Sequence, residues 1–271
     1  MTPAAPSGGS LTGTVSDVFL RLAERMADAA AAVTLGYFRK PIAIDDKADA
    51  SPVTIADKEA EDIMRRMIVD AFPDHGIVGE ERGDERDLAE YVWVLDPIDG
   101  TKSFVTGKPL FGTLIALLWN DKPILGIIDH PALKERFVGA AGRPSTWNGK
   151  PIRVRPCPKI ADAWLYATTP EMFRPGVETD GFDRLKAKVK HPVFGAECYA
   201  YGLLSAGLVD IVCEATMKPV DYCAVVPVVE GAGGVITDWQ GRPLGLRSTG
   251  QVLAAGDGAV HKAAMAALAG R

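Results

Sequence analysis

The feature that most constrains this chain is the run Val92-Trp93-Val94-Leu95-Asp96-Pro97-Ile98-Asp99-Gly100-Thr101-Lys102-Ser103-Phe104. Four residues suited to a buried strand give way in one step to two carboxylates, Asp96 and Asp99. A surface turn tolerates such a pair, whereas a metal site requires one. Pro97 fixes φ and has no N–H, so the chain bends where the strand ends. The bend brings the Asp96 and Asp99 side chains toward one point, with the Ile98 carbonyl facing the same way. Gly100 admits a backbone angle that other residues avoid. A helical turn beginning at Thr101 then presents free amides to an anion. Cations beside free amides are what a phosphate ester needs. The plain alternative is a D-P-x-D-G surface turn, which has the same composition.

Other acids argue against the plain turn. Asp57, Glu80 with Glu81, and Asp221 also stand at the ends of apolar runs. Buried ionised carboxylates are costly unless paired with cations. The nearby bases Lys47, Lys58, Lys102 and Lys218 are too few and too flexible to neutralise all of them. A hard divalent cation does so, and oxygen ligands suit Mg²⁺.

Composition bounds the setting. With 271 residues and 47% apolar content, the chain can bury a sizeable core in one large α/β domain or two packed subdomains. A net charge of -5 without Lys or Arg runs argues against nucleic acid as a partner. Cys157, Cys198, Cys213 and Cys223 show no C-x-x-C pairing and read as reduced, buried thiols of a cytoplasmic protein. The start, MTPAAPSGGSLTGT, has no signal-peptide pattern, and residues 1–15 read as a mobile tail. LFGTLIALLW is too short to cross a bilayer, which takes about 20 helical residues. No membrane association is therefore expected.

Periodicity places the elements. Helices are expected from Ser16 to about Phe38, and from Thr54 or Asp57 to a stop at Pro73. Strands are expected at Ile77-Val78, Tyr91–Leu95, Gly112–Trp119, Ile124–Ile128, Arg136–Ala140 and Ile152–Val154. Reversals at Asn120-Asp121 and Asn148-Gly149 imply antiparallel or mixed pairing. Pro156 and Pro158 mark a boundary between subdomains 16–156 and 157–271. Beyond it, strands Trp164–Thr168, Val193-Phe194, Val209–Glu214, Val235–Thr237 and Val252–Ala255 alternate with helices. Those helices are Phe182–Val189, Glu197–Gly207, Asp221–Gly231 and Ala259–Leu268. The alternation favours α/β layering.

DPIDGT after VWVL, GEE at Gly79–Glu81, SPVTIADKEAE around Asp57 and KPVDYCAVVPVVEGAGG around Asp221 together resemble the inositol monophosphatase family. The match runs in the family's order over nearly the whole chain. The resemblance implies an α-β-α-β-α sandwich with mixed sheets. It also implies a Mg²⁺-dependent, lithium-sensitive phosphomonoesterase that is a homodimer. Glu80 and Asp96, with the Ile98 carbonyl, would hold a first ion. Asp96, Asp99 and Asp221 would hold a second, and Glu80 would share a weaker third through water. Thr101 paired with Asp57 would position and help deprotonate the attacking water. Lys47 matches the basic residue of the family's catalytic loop. Two-metal logic then gives in-line attack without a phosphoenzyme.

Within the family, the strings TKSFVTGKPLFGT, GIIDHPALKERFVG and ECYAYGLLSAGLVDIVCE resemble the histidinol-phosphate phosphatase branch. Val220 stands where inositol-specific members commonly carry Trp. Histidinol phosphate is cationic and calls for carboxylates beyond the metal ligands. Glu197 and Glu214 are the candidates, beside Asp99, Gly100, Thr101 and Lys102 as substrate contacts. For Glu197 the plainer reading is a favourable charge at a helix N-terminus.

Other signals carry less. His75, His130, His191 and His261 lack zinc spacing. Cys198 lacks an evident base. Gly231-Ala232-Gly233-Gly234 follows a helix and is no dinucleotide fingerprint. The five tryptophans read as core or interface anchors. Haloacid-dehalogenase-like phosphatases carry D-x-D-G-T, a different spacing. Inositol monophosphate, or nucleotide or sugar bisphosphates, remain the nearest rival substrates. A cation-binding module that has lost turnover is the non-enzymatic rival.

Overall fold

A computed structural model describes residues 14–46 and 52–271. Helix α1 (Asp17–Tyr37) starts at Ser16, whose side chain accepts from the Val18 N–H. Strands β1 (Ile44–Asp46) and β2 (Pro52–Thr54) pair antiparallel. Thr54 then caps α2 (Ile55–Ala71) in a reciprocal capping box with Asp57. The sequence of Thr-Ile-Ala-Asp thus fixes both where the helix begins and how the Asp57 carboxylate is held.

The first large sheet contains β3 (Gly76–Gly79), β4 (Gly83–Glu85), β5 (Tyr91–Asp99), β6 (Gly112–Trp119), β7 (Lys122–His130), β8 (Glu135–Ala140), β9 (Thr146–Trp147) and β10 (Lys150–Pro151). Its order is β10-β9-β8-β7-β6-β5-β3-β4, with β3 and β5 parallel and the other neighbours antiparallel. A short helix, α3 (Thr101–Val105), separates β5 from β6. At the β6–β7 reversal, Asn120 and Asp121 both have positive φ, 47° and 65°. This suits a two-residue hairpin whose twist matches its strands.

The second sheet follows the chain order β11 (Trp164–Ala167), α4 (Val177–Lys186), β12 (His191–Phe194), α5 (Tyr199–Ser205) and β13 (Ile211–Glu214). It continues through α6 (Pro219–Tyr222), α7 (Val225–Gly231), β14 (Val235–Thr237), β15 (Val252–Ala255) and α8 (Gly258–Leu268). The five strands lie in the order β12-β11-β13-β15-β14 and are also mixed.

Alternation along the strands explains the layering. Trp93, Leu95, Ile115 and Leu117 pack on one face against α1 and α2. Val92, Val94, Leu114 and Ala116 pack on the other against α5, α7 and one face of the second sheet. Leu165, Ile211, Cys213 and Leu253 cover the far face with α4 and α8. The architecture is therefore α-β-α-β-α.

Several expected boundaries move. Strand β5 continues through Asp99 rather than ending at Leu95, and a bulge interrupts its pairing between Asp96 and Asp99. The strand expected at Ile152–Val154 is displaced to Lys150–Pro151, because the Asn148-Gly149 turn pairs Trp147 with Lys150. The helix expected from Glu197 starts at Tyr199, since Glu197 has φ 51°. The helix expected over Asp221–Gly231 is two helices, with Pro227 unable to donate back to Cys223. Residues 1–13 of the expected tail lie outside the described residues, while Val15 is buried and donates to the Ala141 carbonyl. All four cysteines are free and buried. Among the described residues no helix is long and apolar enough to cross a membrane.

Candidate active site

Two residues of β5, Pro97 and Ile98, face a single residue of β6, Thr113, between the pairs Asp96–Leu114 and Asp99–Gly112. This bulge re-aims the strand end. Thr113 Oγ1 donates to the Pro97 carbonyl at 2.8 Å and the Ile98 N–H to Asp96 Oδ1 at 3.0 Å. Both carboxylates of the D-P-x-D segment thereby turn to the same side. Asp221, in the first turn of α6, joins them: ligand oxygens of Asp96, Asp99 and Asp221 lie within 4.8 Å of one another.

The three acids strain against one another electrostatically. Burial, reinforced by the charges of Glu80, Asp99, Asp221 and Asp57, holds Asp96 well above the usual carboxylate range. Burial, then the Asp221 charge, pushes Asp99 up to about 8. Asp221 is pushed up to about 7, by burial first and by Glu80 among the charges. Glu80 follows β3, where its N–H reaches the Leu95 carbonyl at 3.3 Å, and its charge acts on Asp57, Asp96 and Asp221. A set of hard oxygen donors that repel one another this closely fits a divalent cation.

Asp57 is fully buried at the start of α2. Its Oδ2 accepts from the Thr54 N–H at 2.8 Å and from Thr54 Oγ1 at 2.6 Å. Oδ1 faces Thr101 Oγ1 at 3.4 Å, and the same hydroxyl lies 3.1 Å from the Ile98 carbonyl. Burial raises the Asp57 carboxyl above its ordinary value. Gly100, φ 80°, caps α3 in the left-handed region, and Lys102 is exposed on the first turn of that helix. Lys47 lies outside the described residues.

The expected specificity acids also converge here. A cleft of about 280 Å³ is lined by Asp99 and Asp221 together with Thr168, Met172, Glu197, Cys198, Tyr201, Glu214 and Met217. Glu214, 2% exposed, accepts from the Thr168 N–H at 3.0 Å, Thr168 Oγ1 at 2.6 Å and Tyr201 OH at 2.8 Å. Burial raises its pKa. Glu197 Oε1 accepts from Ser103 Oγ at 2.6 Å and lies 3.7 Å from Lys108 Nζ. The plainer role for Glu197, a charge inside a helix start, does not describe this geometry. A roomier cleft, about 830 Å³ beside Asn120 and Arg242, contains none of the three clustered aspartates. Volume alone is therefore a poor guide to the chemistry.

Sequence reasoning missed Thr168, Tyr201, Ser103 and Lys108, which have no local signature. Thr54 was recognisable from its T-x-x-D spacing. Cys198 is a buried free thiol, as its sequence context implies. Burial raises its thiol well above the ordinary range, and its backbone N–H is what reaches Asp99 Oδ2, at 2.8 Å.

The model of the inositol monophosphatase family matches residues 16–270. The chain is 49% identical to the bifunctional phosphatase IMPL2, chloroplastic, of Arabidopsis thaliana, covering 97% of this chain and 78% of that protein. It is 35% identical to a histidinol-phosphatase of Chlorobaculum parvum, covering 82% and 86% of the two chains. The structure of an inositol monophosphatase from Zymomonas mobilis superposes with a TM-score of 0.86 at 45% identity, covering 93% of this chain and 98% of that one. The chain belongs to the inositol monophosphatase family and is a phosphatase of that family.

Proposed function

We propose that this phosphatase hydrolyses a small, positively charged phosphate monoester, L-histidinol phosphate, to the amino alcohol and inorganic phosphate. The observation that carries the reading is the acid wall of the cleft beyond the aspartate cluster. Glu214 is held there by three neutral donors, and among the described residues no cation forms an ion pair with it. A carboxylate has about four acceptor sites, and the three bonds leave one for a substrate ammonium. A neutral polyol has no group that needs a full negative charge there. Met172 and Met217 supply the apolar side of the same cleft. Relatives named as a histidinol-phosphatase and a bifunctional phosphatase support the assignment.

Geometry and the family resemblance support the roles assigned. Asp96, Asp99 and Asp221, with Glu80 and the Ile98 carbonyl, are the Mg²⁺ ligands, for two to three ions. Mg²⁺ bound there supplies charge neutralisation for the phosphoryl group and lowers the pKa of water. Thr101 Oγ1 orients a water, and Asp57 Oδ1 receives its proton through that hydroxyl. Thr54 keeps the other Asp57 oxygen occupied, so only Oδ1 is presented. The backbone at Gly100, Thr101 and Lys102 orients the phosphate. Lys47 is assigned to the catalytic loop by resemblance alone. Cytoplasmic residence and a homodimer complete the proposal. The first rests on the free cysteines and is read by cell fractionation; the second is read by sedimentation.

Inositol 1-phosphate is the second reading, favoured by the similarity to the Zymomonas mobilis structure. Turnover of both esters, with and without Mg²⁺, separates the two. A preference in kcat/KM for histidinol phosphate supports the first. A preference for inositol 1-phosphate replaces it with the second, and Mg²⁺-independent release removes the metal assignment.

A further inference from the structure

We propose that Lys108, Ser103 and Glu197 form a clasp that positions Asp99 for metal binding, so that Glu197 is a positioning residue rather than a substrate ligand. The inference rests on the assignment of Asp99 as a metal ligand and extends it to the segment Gly195–Cys198.

That segment leaves β12 and reaches back to the end of β5. Gly195 has φ 83° and Glu197 φ 51°, the left-handed region that a residue with a long side chain rarely occupies. Such a conformation persists where the surroundings over-determine it. Here they do so at three points. Ser103 Oγ donates to Glu197 Oε1 at 2.6 Å. Lys108 Nζ lies 3.7 Å from the same oxygen and donates to the Gly195 carbonyl at 2.5 Å. The Glu197 side chain also crosses directly over Gly100, where an added Cβ would stand 2.9 Å from Glu197 Cγ.

The consequence falls on the next residue. With Glu197 turned in this way, the Cys198 N–H points at Asp99 Oδ2, 2.8 Å away. Hydrogen bonds of this kind, behind the metal ligands, fix a ligand's orientation and are worth about 10–100-fold in metal affinity. The two cleft acids thereby divide their work. Lys108 takes up the Glu197 charge, whereas among the described residues Glu214 is held by neutral donors alone. A substrate ammonium finds an unneutralised carboxylate at Glu214 and a neutralised one at Glu197.

Calorimetric titration with Mg²⁺ alone tests the clasp, using the full chain and the variants Lys108→Met, Lys108→Arg and Glu197→Gln. Lys108 is 40% exposed, so its substitution leaves the core intact even where Glu197→Gln compromises folding. Lys108→Met and Glu197→Gln are expected to weaken Mg²⁺ binding about tenfold. Lys108→Arg is expected to stay close to the parent. Raising Mg²⁺ should then restore turnover of histidinol phosphate and inositol 1-phosphate equally. Unchanged Mg²⁺ affinity in Lys108→Met overturns the proposal. So does a rise in KM for histidinol phosphate alone in Glu197→Gln at saturating Mg²⁺, which would make Glu197 a substrate ligand. The titration needs no turnover, so a wrong substrate assignment and a wrong clasp give different results.

Discussion

The backbone N–H of Cys198 donates to Asp99 Oδ2 at 2.8 Å across 99 positions of sequence. The acceptor ends a strand of the eight-stranded sheet, and the donor lies just before the helix that follows β12 of the five-stranded one. The orientation of one acid in the cluster therefore depends on how the two sheets pack. Gly100 makes the approach possible, since a Cβ there would meet Glu197 Cγ at 2.9 Å with φ already at 80°. Gly100→Ala is expected to cost roughly 1–3 kcal/mol of stability and to lower turnover. Urea denaturation beside steady-state kinetics measures both.

Asp96→Asn and Asp221→Asn should each lower kcat/KM by on the order of 10³-fold or more, about 4 kcal/mol of transition-state stabilisation. Both variants should fold, and without Mg²⁺ they should melt above the parent, because each removes a carboxyl whose ionised form is disfavoured by burial and then by its neighbours. Near-normal rates in either variant would sink the metal assignment.

Thr54→Ala removes a helix cap and one of the two donors to Asp57 Oδ2, leaving the backbone N–H. It should cost about 1 kcal/mol of stability and lower kcat with little change in KM. A change in KM alone would show that Asp57 serves binding rather than proton transfer.

Glu214→Gln and Tyr201→Phe test the acid wall. Glu214→Gln should raise KM for histidinol phosphate while leaving inositol 1-phosphate nearly unaffected. Tyr201→Phe removes the donor at 2.8 Å from Glu214 Oε2 and should produce a weaker effect of the same kind. Equal losses on both esters would contradict charge recognition by Glu214.

The raised carboxyls set a pH dependence. Asp99 at about 8 and Asp221 at about 7 hold protons in the folded chain that the unfolded chain, with ordinary values near 4, releases. Stability of the metal-free protein from these groups is therefore full below about pH 4 and declines as pH rises toward 8. Mg²⁺ competes with those protons, so its stabilising effect should be larger at pH 8 than at pH 6. Thermal melts with and without Mg²⁺ at the two values read this directly. His130 acts in the opposite sense: burial depresses it to about 4, so its contribution is lost as pH falls from about 6.5 toward 4.

The local chemistry of the site was readable before any folding. Val92–Leu95 as a buried strand, Pro97 as a bend, Gly100 as a left-handed turn and Thr54 as a candidate cap each follow from one residue and its immediate neighbours. The paired reversals at Asn120-Asp121 and Asn148-Gly149 follow in the same way. So does the suspicion that acids gathered at the ends of apolar runs must meet a cation. Only the packed molecule decided that Asp96, Asp99 and Asp221 share one point, that β5 runs on through a bulge, that Tyr201 and Thr168 pin Glu214, and that Lys108 neutralises Glu197. Propensity and periodicity report what a few consecutive residues prefer, whereas these contacts join residues far apart in the chain. Their partners are set by the register of two sheets and the angles between layers, which no local pattern encodes.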